Sequence, residues 1–178
     1  MKKLTVLLSL ALSPLTLIAD HHASTTANYG MAYQFAVTNP AAVVGSMQTF
    51  MNSETGKNRQ VGVSLVQIIS NGESKATHQI NVFYPSLDEI ERNSARNAQS
   101  VDWARYMNTM SESAERVSEN MFSVQMSQVN QDVANQPGST SMLTMVKVTD
   151  PSTYIKAMKK MMSSEAAAAF PGAIYFGQ

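Results

Sequence analysis

The sequence contains no cysteine. That excludes disulfides, thiolate metal sites and a lipid-modified N-terminal cysteine. It has no excess of either charge, with 13 basic and 13 acidic residues. No basic stretch stands out, which argues against a nucleic-acid partner. Also missing are a glycine-rich phosphate loop, a His-x-x-x-His pair, a Ser/His/Asp order and a clustered carboxylate dyad. The familiar local signatures of nucleotide, zinc and acyl-transfer chemistry are therefore absent.

What is present begins with an address. Met1-Lys2-Lys3 is a basic start, Leu4 to Ile18 is an apolar run, and Ala19 is a fair cleavage site. Residues 1–19 read as a secretory signal peptide. The run is short for a membrane span and contains Pro14. The expected location is periplasmic or secreted, with no membrane attachment after cleavage. Residues 20–29 are small and polar and read as a mobile arm. Cleavage after Ala19 would expose the Asp20 amine beside His21 and His22. An amine, two amide nitrogens and an imidazole at the third residue resemble the amino-terminal site for Cu(II) or Ni(II). No other cofactor is expected.

The strongest pattern is a repeat. Val37-Thr38-Asn39-Pro40 returns as Val148-Thr149-Asp150-Pro151, 111 residues later. Without a gap, Val43, Val44, Met47, Phe50 and Met51 fall on Tyr154, Ile155, Met158, Met161 and Met162. That spacing makes one apolar helix face in each copy. Proline suits the first helical turn, and Asn39 and Asp150 are candidate N-caps. Ser53-Glu54 then falls on Ser164-Glu165.

Read in order, residues 31–37 alternate as a strand, with a helix from Pro40. A second strand covers 61–69, Asn71-Gly72 signals a hairpin, and a third strand covers about 77–84. Ser86-Leu87-Asp88-Glu89 is a capping box opening a two-piece helix to about residue 115, with Ser100 capping the second piece. A fourth strand covers 119–129. Residues 130–140 are a linker. The second copy then offers a strand at 141–148, a helix at 151–163 and a strand at 172–177. The fold class is α+β: a ferredoxin-like βαββαβ unit over 30–129, followed by an incomplete βαβ unit over 141–178. In such a sheet the third strand lies between the first and second. A unit lacking it must leave a gap, pair its two strands directly, or borrow a strand. This predicts that the chain continues past Gln178 by roughly 60 residues, the length that completes a second βαββαβ unit.

The Thr38-Asn39-Pro40 and Thr149-Asp150-Pro151 helix starts carry a resemblance, together with the Ala76-Thr77-His78 strand entry and the Tyr84-Pro85-Ser86 turn. Two tandem units built this way resemble the dimeric α+β barrel superfamily, which includes the antibiotic-biosynthesis-monooxygenase-like proteins. The resemblance spans about residues 30–178. It implies a barrel made by two chains or within one, with a pocket between each sheet and its helices or inside the barrel. Some members oxidise small aromatic compounds without a cofactor, some degrade haem, and others have no known activity. The haem-degrading members use an Asn, a Trp and a His. Trp103 and His78 stand on other elements, so that site does not transfer.

Candidate residues each have an ordinary structural explanation beside the chemical one. His78 shares a strand face with Ile80, Val82 and Tyr84, and could be a general base or a hydrogen-bonded strand-end histidine. Trp103, Tyr106 and Met107 could wall a ligand pocket or fill the core. Arg92, Arg96 and Arg105 could grip a carboxylate or form a solvated face. The Met47, Met51, Met158, Met161 and Met162 stripe follows the helix period and needs no copper to explain it. Three functions follow: an exported protein that binds a small apolar molecule, a cofactor-independent monooxygenase or isomerase with His78 as base, or a structural and interaction protein with a filled core. The first two expect a cavity, and the third does not. A pseudo-dimer within the chain or a homodimer is compatible with all three.

Overall fold

The computed structural model describes residues 27–129 and 140–178. Residues 1–26, with the expected signal segment and His21 and His22 of the expected arm, and residues 130–139 lie outside the described residues, whereas Asn28 and Tyr29, expected in the arm, join the sheet.

Among the described residues the fold is mixed α+β: a five-stranded antiparallel half-barrel sheet with six helices. In chain order these are β1 (Tyr29–Val37), α1 (Pro40–Asn52), α2 (Glu54–Lys57), β2 (Gly62–Gln67), β3 (His78–Tyr84), α3 (Leu87–Ala98), α4 (Val101–Ser113), β4 (Ala114–Val129), α5 (Pro151–Met162), α6 (Glu165–Ala168) and β5 (Ala173–Gly177). The strand order is β2-β3-β1-β4-β5, every neighbour antiparallel. One sheet face carries Tyr33, Phe35, Val63, Leu65, Ile80 and Val82 against Val43, Met47 and Phe50 of α1 and Tyr106 and Met110 of α4. This is the main core.

The helix starts follow from local chemistry. Asn39 Oδ1 accepts the Ala42 N–H at 3.2 Å, and Asp150 Oδ1 accepts the Thr153 N–H at 3.1 Å, each with proline in the first turn. Ser86 and Ser100 accept from Glu89 and Trp103 in the same way. The repeat extends further, atom by atom. Ser53 Oγ donates to Phe50 O at 2.7 Å and caps α2 through Gly56 N at 3.1 Å. Ser164 Oγ donates to Met161 O at 2.7 Å and caps α6 through Ala167 N at 3.2 Å. Every one of these pairs keeps the 111-residue offset.

Several elements depart from the sequence reading. β1 starts two residues early, because the Asn28 N–H donates to Tyr84 O and its side chain to Pro85 O. β2 and β3 pair only as far as Gln67 and His78, so Asn71-Gly72 sits within a wider loop, with Gly72 left-handed at φ 56°. β4 starts directly after α4 rather than at Glu119. Its polar beginning pairs with β1 through Val37↔Ala114 and Phe35↔Arg116. A register shift between Gln34 and Phe35 makes a bulge there. Residues three apart normally face opposite sides of a strand, but a bulge reverses that phase. Arg116 and Glu119 can therefore form a 2.8 Å ion pair while Arg116 lies over the Tyr33 ring.

The largest correction concerns residues 141–148, which form no strand. Met142, Leu143 and Met145 are 91%, 67% and 78% exposed, so the segment is not covered either. Apolar alternation makes a strand only where a neighbouring backbone accepts its hydrogen bonds. β1, the equivalent in the first copy, has β3 on one edge and β4 on the other. Residues 141–148 have neither. β5 finds its partner by borrowing β4, the long last strand of the first unit.

Candidate functional site

Trp103 and Tyr106 lie in ring contact with each other and with Phe50 of α1. Ring centroids lie 5.2 Å apart for Phe50–Trp103, 5.5 Å for Phe50–Tyr106 and 5.3 Å for Trp103–Tyr106. The three rings are in mutual contact. Burial raises the Tyr106 phenol well above its ordinary pKa. Met107 does not join them and is exposed on the outer side of α4.

His78 is buried on the same face, opposite Phe35 and Gln67. Its Nδ1 lies 2.9 Å from Thr77 Oγ1, and its Nε2 has no hydrogen-bond partner among the described residues. Burial lowers its pKa below the ordinary 6.5. The unfolded chain therefore takes up a proton near pH 6.5 that the folded chain takes up only at lower pH. The neutral ring's contribution to stability is complete above pH 6.5 and declines as pH falls below it. We expect urea midpoints measured between pH 7.5 and 5 to fall in the parent and to flatten in His78→Phe. An NMR titration placing the His78 pKa at or above 6.5 would contradict this.

The arginines do grip a carboxylate, and it is the chain's own. Glu89, buried on α3, accepts from Arg92 Nε at 2.8 Å and Arg96 Nη2 at 3.0 Å. The capping box is thus half made. Ser86 takes the Glu89 N–H, but the Glu89 carboxylate turns to the arginines instead of back to Ser86. Arg96 also donates to Asn93, which hydrogen-bonds Tyr84. Burial, with the neighbouring Tyr33, pushes the Tyr84 phenol up to about 12 despite that bond. Arg105 pairs with Asp102 at the surface. A further cation, Arg59, is buried and donates to the Gly56 carbonyl.

The other sheet face holds a feature that sequence reasoning missed. Ser118, Gln34, Gln79, Asn81 and Ser64 form a hydrogen-bonded band across β4, β1, β3 and β2. Its links are 3.1, 3.0, 2.7 and 3.2 Å long. Beside it lies an aromatic patch. Phe83 stacks on Tyr175 at 6.1 Å and meets Phe122 edge-on at 6.4 Å. A Cβ at Gly30 would collide with the Phe122 ring, so glycine lets this ring lie flat on β1. The signal was the polar phase of each strand: Gln34, Gln79 and Asn81 alternate with core residues. Their contact depends on register, which the sequence does not display.

Between β4 and α5 lies an open depression of about 440 Å³, lined by Met126, Ser127, Gln128, Lys159, Met162 and Ser163. Among the described residues no group of three His, Asp or Glu could hold a metal ion, and no helix is long and apolar enough to cross a membrane. No protein-family model matches the chain, and neither a curated protein nor a solved structure shows significant similarity to it.

Proposed function

We propose that this protein is a structural and interaction module, not a pocket enzyme. Its architecture is a ferredoxin-like unit over residues 30–129 followed by a partial second unit over 141–178, together of the α+β-barrel type. The Phe50–Trp103–Tyr106 cluster carries the functional reading, since the chain's own rings fill the space between helices and sheet. The strand order β2-β3-β1-β4 supports the ferredoxin-like assignment. The 111-residue correspondence supports a tandem relation. Exposed apolar residues of the second copy, Met142, Leu143, Met145 and Met161, support contact with another polypeptide surface. The basic start and apolar run of residues 1–19 support export to the periplasm or beyond.

A second reading has its own observation. The patch of Phe83, Phe122 and Tyr175 beside the amide band offers flat apolar area and hydrogen-bonding edges to a small, largely apolar molecule. A monooxygenase or isomerase with His78 as base ranks last, because that ring is buried in the first-face core. Native mass spectrometry of the protein purified gently from its own cells tests the order. We expect no retained small molecule or metal. A retained small molecule that is lost in Phe122→Ala would favour the second reading, and one lost in Trp103→Leu would overturn the filled-core reading.

A further inference from the structure

The four long helices keep to one side of the sheet. α1 and α4 pack on the face of Tyr33, Leu65 and Ile80. α3 touches that face through Asn93 and Tyr84, and α5 through Tyr154 and Phe176. Register fixes what stands on the other face, since opposed residues of an antiparallel pair share a side. At one end are Gln34, Gln79, Asn81, Ser64 and Ser118. At the other are the rings of Phe83, Phe122 and Tyr175. Glu115, opposite Ala36, is the one charged residue that these registers place there among the described residues, and Lys75 neutralises it. The face is therefore neutral, part amide and hydroxyl, part aromatic.

Both parts are set in advance. The amide chain runs one way. Ser118 Oγ donates to Gln34 Oε1, Gln34 Nε2 to Gln79 Oε1, Gln79 Nε2 to Asn81 Oδ1, and Asn81 Nδ2 to Ser64 Oγ. A carboxamide has two N–H bonds and an oxygen with two lone pairs. Each of the three amides gives one donor and one acceptor site to this chain and keeps one of each. The shared bonds fix the direction of those that remain. The Phe122 ring is seated by missing side chains, because a Cβ at Gly30 would collide with it and one at Gly177 would crowd it. Tyr175 is 52% exposed, so the ring patch meets solvent.

We infer that this face binds a neutral carbohydrate chain. A sugar ring turns C–H bonds outward on its flat side, and these suit the electron-rich face of an aromatic ring. Its rim carries adjacent hydroxyls, each donor and acceptor, which suit the N–H and lone pair that each amide keeps. Other ligands match only half of the face. A purely apolar molecule would cover the rings and strip water from the amides without replacing it. A polyanion needs cations that the face lacks. Four strand spacings separate Ser64 on β2 from Tyr175 on β5, about 19 Å along the sheet. That length suits an oligosaccharide better than a single sugar. The site takes the patch that the second reading above gave to an apolar molecule and assigns it another class of ligand. It lies apart from the filled core and from the exposed residues of 142–161 that support the interaction reading, so either can fail alone.

The test is isothermal titration calorimetry of the purified full-length protein with maltohexaose, cellohexaose and chitohexaose, neutral chains of different linkage. We expect at least one to bind with a Kd of about 1 mM or tighter. Tyr175→Ala and Asn81→Ala should each weaken that binding about tenfold or more, while Met107→Ala leaves it unchanged. Ser64→Ala, at the end of the amide chain, is the milder variant if Asn81→Ala fails to fold. Absence of binding by all three overturns the inference, as does binding that survives the ring and amide substitutions. If naphthalene binds instead and Tyr175→Ala abolishes it, the apolar reading stands and the carbohydrate falls. If analytical ultracentrifugation shows a dimer that Tyr175→Ala dissociates, the face belongs to a second molecule of this chain and the carbohydrate again falls.

Discussion

Replacing Phe50 by alanine is expected to destabilise the protein by about 4 kcal/mol, within the range for deleting a buried aromatic side chain. Phe50 is 7% exposed and touches both Trp103 and Tyr106. Its loss removes two ring contacts as well as apolar burial, and the rigid rings on either side cannot close the gap. Met107→Ala, one residue beyond Tyr106 on the exposed side of α4, should change stability by less than about 0.5 kcal/mol. Urea unfolding of both variants measures the contrast. The substitution also separates a filled core from a ligand pocket. A filled core becomes hollow, so Phe50→Ala should acquire affinity for benzene or toluene that the parent lacks. If the parent already binds such molecules in competition with the Phe50 ring, the filled-core reading fails.

Much of this arrangement could be read from residues close together in the chain. The caps at Asn39, Ser86, Ser100 and Asp150 act within three residues, so a side chain and its target are neighbours in sequence. The strand phases of β1 and β3 and the inner stripe of α1 are likewise local. What escaped depends on distant partners. The apolar alternation at 141–148 matches a strand pattern, but no described backbone supplies the partner strand. The start of β4 reads as the end of the second helix, yet β1 offers it a free edge and the strand begins at Ala114. Nothing local in the sequence marks Arg59 for burial. The Gln34–Gln79 and Ser118–Gln34 bonds join residues 45 and 84 apart, so only register brings them together. At the candidate site the sequence identified Trp103 and Tyr106 as neighbours. It left open whether they enclose space or fill it, because Phe50 arrives from another helix.

Glu89→Gln should cost about 2 kcal/mol, less than the roughly 3–5 kcal/mol for breaking a fully buried ion pair. The discount comes from the partners. The Glu89 side chain is 5% exposed, but Arg92 and Arg96 are 61% and 27% exposed and can recover water. The same geometry fixes a pH dependence. Burial by itself would raise the Glu89 pKa, but the hydrogen bonds and charges of Arg92 and Arg96 outweigh it and hold the carboxyl below its ordinary 4.5. Below pH 4.5 the unfolded chain therefore binds a proton that the folded chain still excludes. The stability from this ion pair is complete above pH 4.5 and is lost as pH falls through the folded pKa. Chemical unfolding between pH 7 and 3 should show this acid loss in the parent and a smaller one in Glu89→Gln, superimposed on the His78 effect that begins near pH 6.5. Equal acid slopes in the two proteins would mean that the carboxylate is not held as the 2.8 and 3.0 Å contacts require. Because Ser86 caps α3 independently, Ser86→Ala should lower stability without altering the Glu89 titration. That separates loss of the helix start from loss of the ion pair.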